Sequence, residues 1–348
     1  MTATEVQNTL FIQSPGSHVS LQGGSIRCFT ADDDTWRRLP LARVETLILI
    51  GRVSASSDLL LYCADQGIPV HWLSEFGRHR AVVFGPHDSG GRIRAAQHEA
   101  HHDSGRRASI AASIVDAKIE NMLAVLRTAA HDATGHNKQA LREGVDRIVN
   151  TRAAFRVLVQ DGSSTRQTAL GFEGATTRIY FTAVRHSLRP VEGIQIPRRR
   201  TRRPATDPFN ATLSFCYGLT RSAVHGAAHA AGLDPATGFL HGDRDSQPSL
   251  VLDLMEELRP LADRLVMRMF NLKQLRPSHY ATQISGAVQL NESGRRVLLA
   301  AWHEHRQKTV QHRVLRRQIP RALVPLIQAR LLGRFLVGDC AAYPAFKA

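Results

Sequence analysis

The sequence predicts an α+β protein, with an N-terminal β-rich domain followed by a larger all-α domain. Three observations predict it. Up to about residue 84, apolar residues come in short runs separated by Pro-Gly and Gly-Gly turn signals. From about residue 109 they recur every three to four positions, the period of a helix. Between the two lies Gly85-Pro-His-Asp-Ser-Gly-Gly91, with three glycines, one proline and no large apolar side chain. A chain of 348 residues accommodates roughly two domains of about 150 residues each, and 43% hydrophobic residues suffice to bury a core. The boundaries read as a β-domain at 1–85, a linker at 86–92 and a helical domain at 93–348.

Taken in order, 8–13, 18–21 and 25–30 are short strands, and 44–50 is a mostly apolar strand ending at Gly51. The serine-rich stretch from Ser54 to Asp58 caps a helix that runs to about Asp65, and Gly67 closes it. Further strands fall at 69–73 and 81–84. In 109–130, Ile110, Ile114, Ile119, Leu123 and Leu126 share one face of a long helix. Helical patterns continue at 141–158 and 165–184, break across 188–207 at three prolines and an arginine cluster, and resume at 210–231, 249–270, 292–317 and 322–336. No internal repeat or heptad array is present.

Cys28, Cys63, Cys216 and Cys340 form no CxxC pair and read as reduced thiols. No stretch approaches the roughly 20 apolar residues of a membrane span. Residues 1–13 lack the features of a signal peptide, so the expectation is a soluble, cytoplasmic protein with no membrane partner.

The net charge is +15, unevenly spread. Residues 1–85 hold seven Lys/Arg against eight acids, a charge of −1, which leaves +16 for the remainder. Basic side chains release counterions from a polyanion, so nucleic acid is the favoured partner and the C-terminal part its binding region. A basic surface kept for solubility and an RNA-binding role are the alternatives.

Three segments carry the chemistry. Gly171-Phe-Glu173-Gly puts a carboxylate on a predicted helix, and Gly238-Phe-Leu-His241 ends a turn-rich segment on a histidine. In Ser249-Leu-Val-Leu-Asp253-Leu-Met-Glu256-Glu257-Leu-Arg259-Pro260, Asp253 and Glu256 are three residues apart and share a helix face beside the apolar stripe. Glu257 reads as an ordinary solvated acid. Acids beside a core need a partner, and a cation or a nearby arginine each satisfies that need. One competing motif is His98-Glu99-Ala100-His101-His102, which matches the zinc-peptidase pattern H-E-x-x-H. Asp103-Ser104-Gly105 breaks the helix that pattern requires. His303, His305 and His312 read as surface residues of a basic helix.

These motifs together resemble one family, the CRISPR-associated integrase of spacer acquisition (the "Cas one" family), most closely its type I-C branch. That family carries a Glu within G-x-E-G…Y-F, a His within G-F-L-H and an acid within L-x-x-D-L-x-E-x-x-R-P, and all three occur here in order. The resemblance extends over nearly the whole chain. It includes Asn8-Thr-Leu-Phe, Leu47-Ile-Leu-Ile-Gly51, Gly67-Ile-Pro-Val-His-Trp-Leu73, Arg94-Ala-Ala-Gln97, Ala117-Lys118-Ile119, Asn121 and the segment from Asp207 through Asn210 to Tyr217.

The resemblance implies a metal-dependent DNA endonuclease and integrase that inserts prespacer DNA by 3′-OH attack on a repeat phosphodiester. It implies Glu173, His241 and Glu256 as metal ligands, with Asp253 as a supporting group or alternative ligand. Two carboxylates and one imidazole tilt the site toward Mn²⁺, with Mg²⁺ as the other candidate. It further implies a homodimer joined through the N-terminal domains, assembled into a larger complex by a small ferredoxin-like second adaptation protein, on double-stranded DNA. Phosphate contacts are expected from Arg198, Arg199, Arg200, Arg202 and Arg203, and from Arg185, Arg189 and Arg259, while Tyr180 and Tyr217 are either DNA-facing or core. The rival readings are a non-catalytic DNA-binding protein, a zinc peptidase built on His98 and His102, and an inactive relative.

Overall fold

The computed structural model describes residues 9–14, 16–30, 33–75, 79–85, 90–194, 196–197, 200–201, 204–242 and 247–348. The N-terminal region comprises β1 (Thr9–Ile12), β2 (His18–Gln22), β3 (Ser25–Thr30), β4 (Asp33–Pro40), β5 (Thr46–Ile50), β6 (Ser54–Ala55), α1 (Ser57–Asp65), β7 (Val70–Leu73) and β8 (His79–Val83). These strands form two sheets, in the orders β1-β5-β7-β8 and β4-β3-β2-β6. β1, β5 and β7 run parallel, and β8 returns antiparallel to β7.

β5 explains its own composition. Leu47 and Leu49 pack into a core shared with Val19, Ile26, Leu59 and Val70, while Ile48 and Ile50 pack into the helical core. A strand buried on both faces is apolar throughout, as a parallel strand covered on two sides must be. α1 starts at Ser56, whose hydroxyl accepts the Leu59 N–H. Ser54 and Ala55, expected in the cap, pair with β2 instead.

The helical region holds α2 (Gly91–His102), α3 (Ser104–Asp132), α4 (Gly135–Gln160), α5 (Arg166–Val184), α6 (Pro208–Ala230), α7 (Ser249–Asn271), α8 (Glu292–Gln307) and α9 (Val324–Leu336). Side-chain caps set several starts: Asp103 accepts the Arg106 N–H of α3, Thr165 and Thr168 form a capping box on α5, and Asp207 accepts the Asn210 N–H of α6 with Pro208 in the first turn. α3 lies at the centre, against α4, α5 and α7.

The region is mostly helical, not all-α. It also contains two antiparallel hairpins, β9 (Tyr280–Thr282) with β10 (Val288–Leu290) and β11 (Thr309–His312) with β12 (Arg317–Pro320). The second hairpin corrects the helix expected over 292–317. The chain turns extended at Lys308, the β-branched pair Thr309-Val310 follows, and Arg316 takes a left-handed φ of 52° in the tight turn. Among the described residues no helix is long and apolar enough to cross a membrane. All four cysteines are free thiols, with Cys63 and Cys216 buried.

Candidate active site

Asp253 on α7 is fully buried. It accepts the backbone N–H groups of Phe239 at 2.5 Å, Leu240 at 2.9 Å and His241 at 2.9 Å, and the His241 ring nitrogen Nδ1 at 2.7 Å. Four donors fill the acceptor sites of this carboxylate, so Asp253 orients His241 and has no face left for a ligand. Gly238 makes the close approach feasible: a Cβ there would stand 2.7 Å from Asp253 Oδ2 and 2.7 Å from the Ser249 carbonyl carbon. α2 braces the same loop from below. Gln97 donates to the carbonyls of Asp234 at 2.9 Å and Thr237 at 2.7 Å, and His101 Nδ1 lies 2.6 Å from the Gly238 carbonyl.

With Nδ1–H held by Asp253, the neutral His241 ring presents the lone pair of Nε2, 3.9 Å from Glu256 Oε1. Burial disfavours charge on His241, but the bond to Asp253 and the charges of Asp253 and Glu256 outweigh it and raise its pKa. Glu256 is buried on α7, one turn after Asp253. Its Oε1 accepts from Arg259 Nε at 2.9 Å, and its Oε2 accepts from the Lys118 ammonium of α3. The same ammonium donates to Glu173 Oε1 of α5, which also accepts the Thr177 hydroxyl at 2.8 Å. Burial pushes the Glu256 carboxyl up, yet Arg259 and Lys118 together hold it down at about 2.

Three elements distant in sequence thus converge, and a cation, the Lys118 ammonium, lies between their carboxylates. The donor set is oxygen-rich, with one imidazole whose free nitrogen is fixed by a carboxylate behind it, and this fits a hard or borderline divalent ion. The donor atoms are not drawn tightly together. Among the described residues, the only set of three candidate ligands within 4.8 Å of one another is His71, His79 and His225. A Cβ at Gly171 or Gly174 of α5 would meet nothing within 4 Å, but neither residue shares the helix face of Glu173.

The remaining candidates lie elsewhere or serve other groups. Arg185 and Arg189 are exposed just beyond α5. Arg259 is bonded to Glu256 and lies over the Tyr217 ring, 4.7 Å from its centroid. Arg200 donates to Asn210 Oδ1 at 2.9 Å and Ser214 at 3.1 Å. Arg198, Arg199, Arg202 and Arg203 lie outside the described residues. Tyr180 is wholly buried, and the Tyr217 hydroxyl donates to Asp263 at 2.5 Å. Asp263 is itself buried, which pushes its carboxyl up to about 6 against the opposing bond from Tyr217.

Two sequence readings need correction. Glu257 is buried and not solvated: the C-terminal segment folds over α7, and Glu257 accepts from the Tyr343 hydroxyl at 2.6 Å, the Phe346 N–H at 2.6 Å and Gln328 at 3.1 Å. His312 is buried in β11 against Gln328 at 3.0 Å, and His305 is half-buried beside Arg321 at 3.1 Å, so neither is a surface residue. His98, Glu99 and His102 are exposed on α2, with His98 3.4 Å from Asp234, and they join no set of three ligands among the described residues. Lys118, central to the site, was not among the expected functional residues. Its signal was a lone lysine in the apolar stripe of Ile114, Val115, Ile119 and Met122.

The family model of CRISPR associated protein Cas1 matches residues 10–304. The chain is 35% identical over 342 residues to the CRISPR-associated endonuclease Cas1 2 of Rhodospirillum rubrum, covering 97% of each chain. Among solved structures it is similar to a casposase bound to integration product, with a TM-score of 0.80, 18% identity and coverage of 97% of this chain and 93% of that one. It is also similar to a chain of a Cas6-RT-Cas1–Cas2 complex, with a TM-score of 0.81, 20% identity and coverage of 100% of this chain and 37% of that one. Both structural likenesses are likenesses of fold.

Proposed function

The chain belongs to the CRISPR associated protein Cas1 family, and from that premise we propose that it is a metal-dependent DNA endonuclease and integrase of CRISPR adaptation, of the type I-C branch. It joins the 3′-OH of a prespacer to a phosphodiester at the edge of a CRISPR repeat. The observation that carries this reading is that Glu173 and Glu256 share one cation, the Lys118 ammonium, with His241 Nε2 3.9 Å from Glu256 and Asp253 fixing the imidazole.

Glu173, Glu256 and His241 Nε2 are the groups that would hold Mn²⁺ or Mg²⁺, and such an ion supplies polarisation of the scissile phosphate and a more acidic attacking hydroxyl. The protein's own residues do the rest. Asp253 keeps the His241 proton on Nδ1. Lys118 and Arg259 neutralise the buried carboxylates, and both are placed to favour negative charge arriving on a phosphate.

The reading extends to assembly and place of action. Residues 1–85, nearly neutral, form the dimer interface, and 93–348, carrying the whole +16, bind double-stranded DNA. A small ferredoxin-like second adaptation protein, Cas2, bridges the dimers, and the complex works in the cytoplasm. The strongest rival is a non-catalytic DNA-binding protein whose acid cluster only neutralises Lys118 and Arg259.

Strand transfer separates the two. Labelled duplex ends and a plasmid carrying a CRISPR repeat are incubated with protein and Cas2 in Mn²⁺, beside a DNA-binding assay. Wild type is expected to join the ends. Glu173→Ala is expected to bind DNA with unchanged affinity and to lose joining by about 100-fold or more, the scale on which losing an electrostatic catalytic group acts. If wild type binds but neither cuts nor joins under Mn²⁺ or Mg²⁺, the catalytic reading is wrong.

A further inference from the structure

We propose that His71, His79 and His225 form a zinc site, separate from the carboxylate site, that staples the N-terminal sheet to α6. One ring nitrogen from each lies within 4.8 Å of the other two. His71 is on β7 and His79 on the antiparallel strand β8, where His79 pairs with Leu73, two residues along from His71. The two histidines therefore share one sheet face, as diagonal cross-strand neighbours. Leu73 of that face packs into the helical core, and His225 reaches toward the pair from α6.

The geometry is close to what zinc requires. His71 Nδ1 and His79 Nε2 are 3.1 Å apart, sharing one proton. Two nitrogens on a tetrahedral zinc, each at about 2.0–2.1 Å, stand roughly 3.3 Å apart, so an ion can replace that proton with little movement of either ring. His225, with a ring nitrogen within 4.8 Å of the other two, then closes in to complete three ligands. The site also has unfilled hydrogen-bonding capacity. His225 Nδ1 is buried and has no hydrogen-bond partner among the described residues. Buried polar atoms without partners are rare, and each calls for a reason.

Protonation favours a metal as well. Burial disfavours charge on all three rings; His79 and His225 add to it at His71, as do His225 and Arg221 at His79, and Arg221 and His229 at His225. His79 and His225 are held at about 4, so the neutral, ligating form prevails at neutral pH. The set has no carboxylate. Three imidazoles suit zinc and its borderline neighbours, not the Mg²⁺ or Mn²⁺ assigned to Glu173 and Glu256. Phe84 walls one side, with its ring centroid 5.5 Å from that of His225. On another side a cleft lined by His79, Arg80, Arg221 and His225 gives solvent a route to the fourth position. Arg221 there favours an anionic fourth ligand.

The test uses the full chain with Co²⁺ as a spectroscopic substitute and Zn²⁺ as the ligand. Wild type and Glu256→Gln are both expected to show the d–d absorption of tetrahedral Co²⁺, and Glu256→Gln, with the carboxylate site impaired, to bind one Zn²⁺ per chain. His225→Ala and His79→Asn are expected to lose the band. Their Zn²⁺ affinity should fall by more than the roughly 10- to 100-fold typical of losing a mere supporting contact to a ligand. The proposal is overturned if wild type gives no tetrahedral band, if the histidine variants keep it, or if Glu256→Gln alone abolishes it. The wild-type measurement decides even where a variant fails to fold.

Discussion

A lysine buried in an apolar helix face gives up its hydration, and only paired carboxylates restore what it loses. Lys118 has two, Glu173 and Glu256, and they in turn have Lys118. Replacing it by Lys118→Met keeps the stem and removes the charge, leaving two acids that face each other without their shared cation. In EDTA the variant should lose on the order of 3 kcal/mol of stability, the scale of breaking a buried pair. Mn²⁺ should then raise its melting temperature by more than it raises that of wild type, because the ion no longer competes with an ammonium. Equal Mn²⁺ shifts in the two proteins would mean that Lys118 does not occupy the cation's position. The other members of the site were readable in the sequence because local motifs carry them: G-x-E-G for Glu173, G-F-L-H for His241, and the i, i+3 spacing for Asp253 and Glu256. Lys118 was not, because its partners lie 55 and 138 residues away. Glu257 was misread for the same reason. The groups that bury it, Tyr343 and Phe346, come from the far end of the chain.

At the scale of elements, the helical period located most of the long helices because each buries one continuous stripe, and Pro-Gly signals located the early strands. Short polar elements escaped. β4 has no apolar alternation to announce it, and the β11–β12 hairpin continues the basic composition of α8 without a break. The pairing of α3 with α4 is set by charge as much as by apolar contact, and this gives a pH prediction. Asp116 on α3 accepts from Arg152 at 2.7 Å, from Arg156 at 3.0 Å, and from Lys347 at 2.8 Å. Burial opposes its charge, but those three bonds hold its carboxyl below the usual carboxylate range. A depressed carboxyl stabilises the fold above its unfolded pKa of about 4, and the contribution drains away as pH falls below that. Asp116→Asn should therefore cost about 2 kcal/mol at pH 6. The gap to wild type should narrow toward pH 2.5. Urea denaturation at both pH values measures it, and a gap of constant size would show that the ion cluster is not its source.

At the scale of the whole molecule, the charge is asymmetric: −1 over residues 1–85 and +16 over the rest. Each phosphate neutralised by a bound cation releases counterions, so the logarithm of affinity for duplex DNA falls with the logarithm of salt by about 0.9 per contact. Not every arginine is free to contribute. Arg259 and Arg200 are held by Glu256 and Asn210, whereas Arg185 and Arg189 project into solvent. Arg185 lies twelve residues from Glu173, at the end of α5, roughly 18 Å along a helix that rises about 1.5 Å per residue. A duplex with its reacting phosphate at Glu173 would pass that point several phosphates away. The double variant Arg185→Ala, Arg189→Ala is therefore expected to flatten the salt dependence by about two units of slope, one for each lost contact. Strand transfer at saturating DNA should be unchanged. Arg38→Ala, on the exposed N-terminal sheet, should leave the slope where it is. Affinity measured by fluorescence anisotropy from low to high salt decides between the two surfaces. A slope lowered by Arg38→Ala and untouched by the double variant would put the duplex on the N-terminal sheet, and the proposed division between a dimerising and a DNA-binding region would have to be reversed.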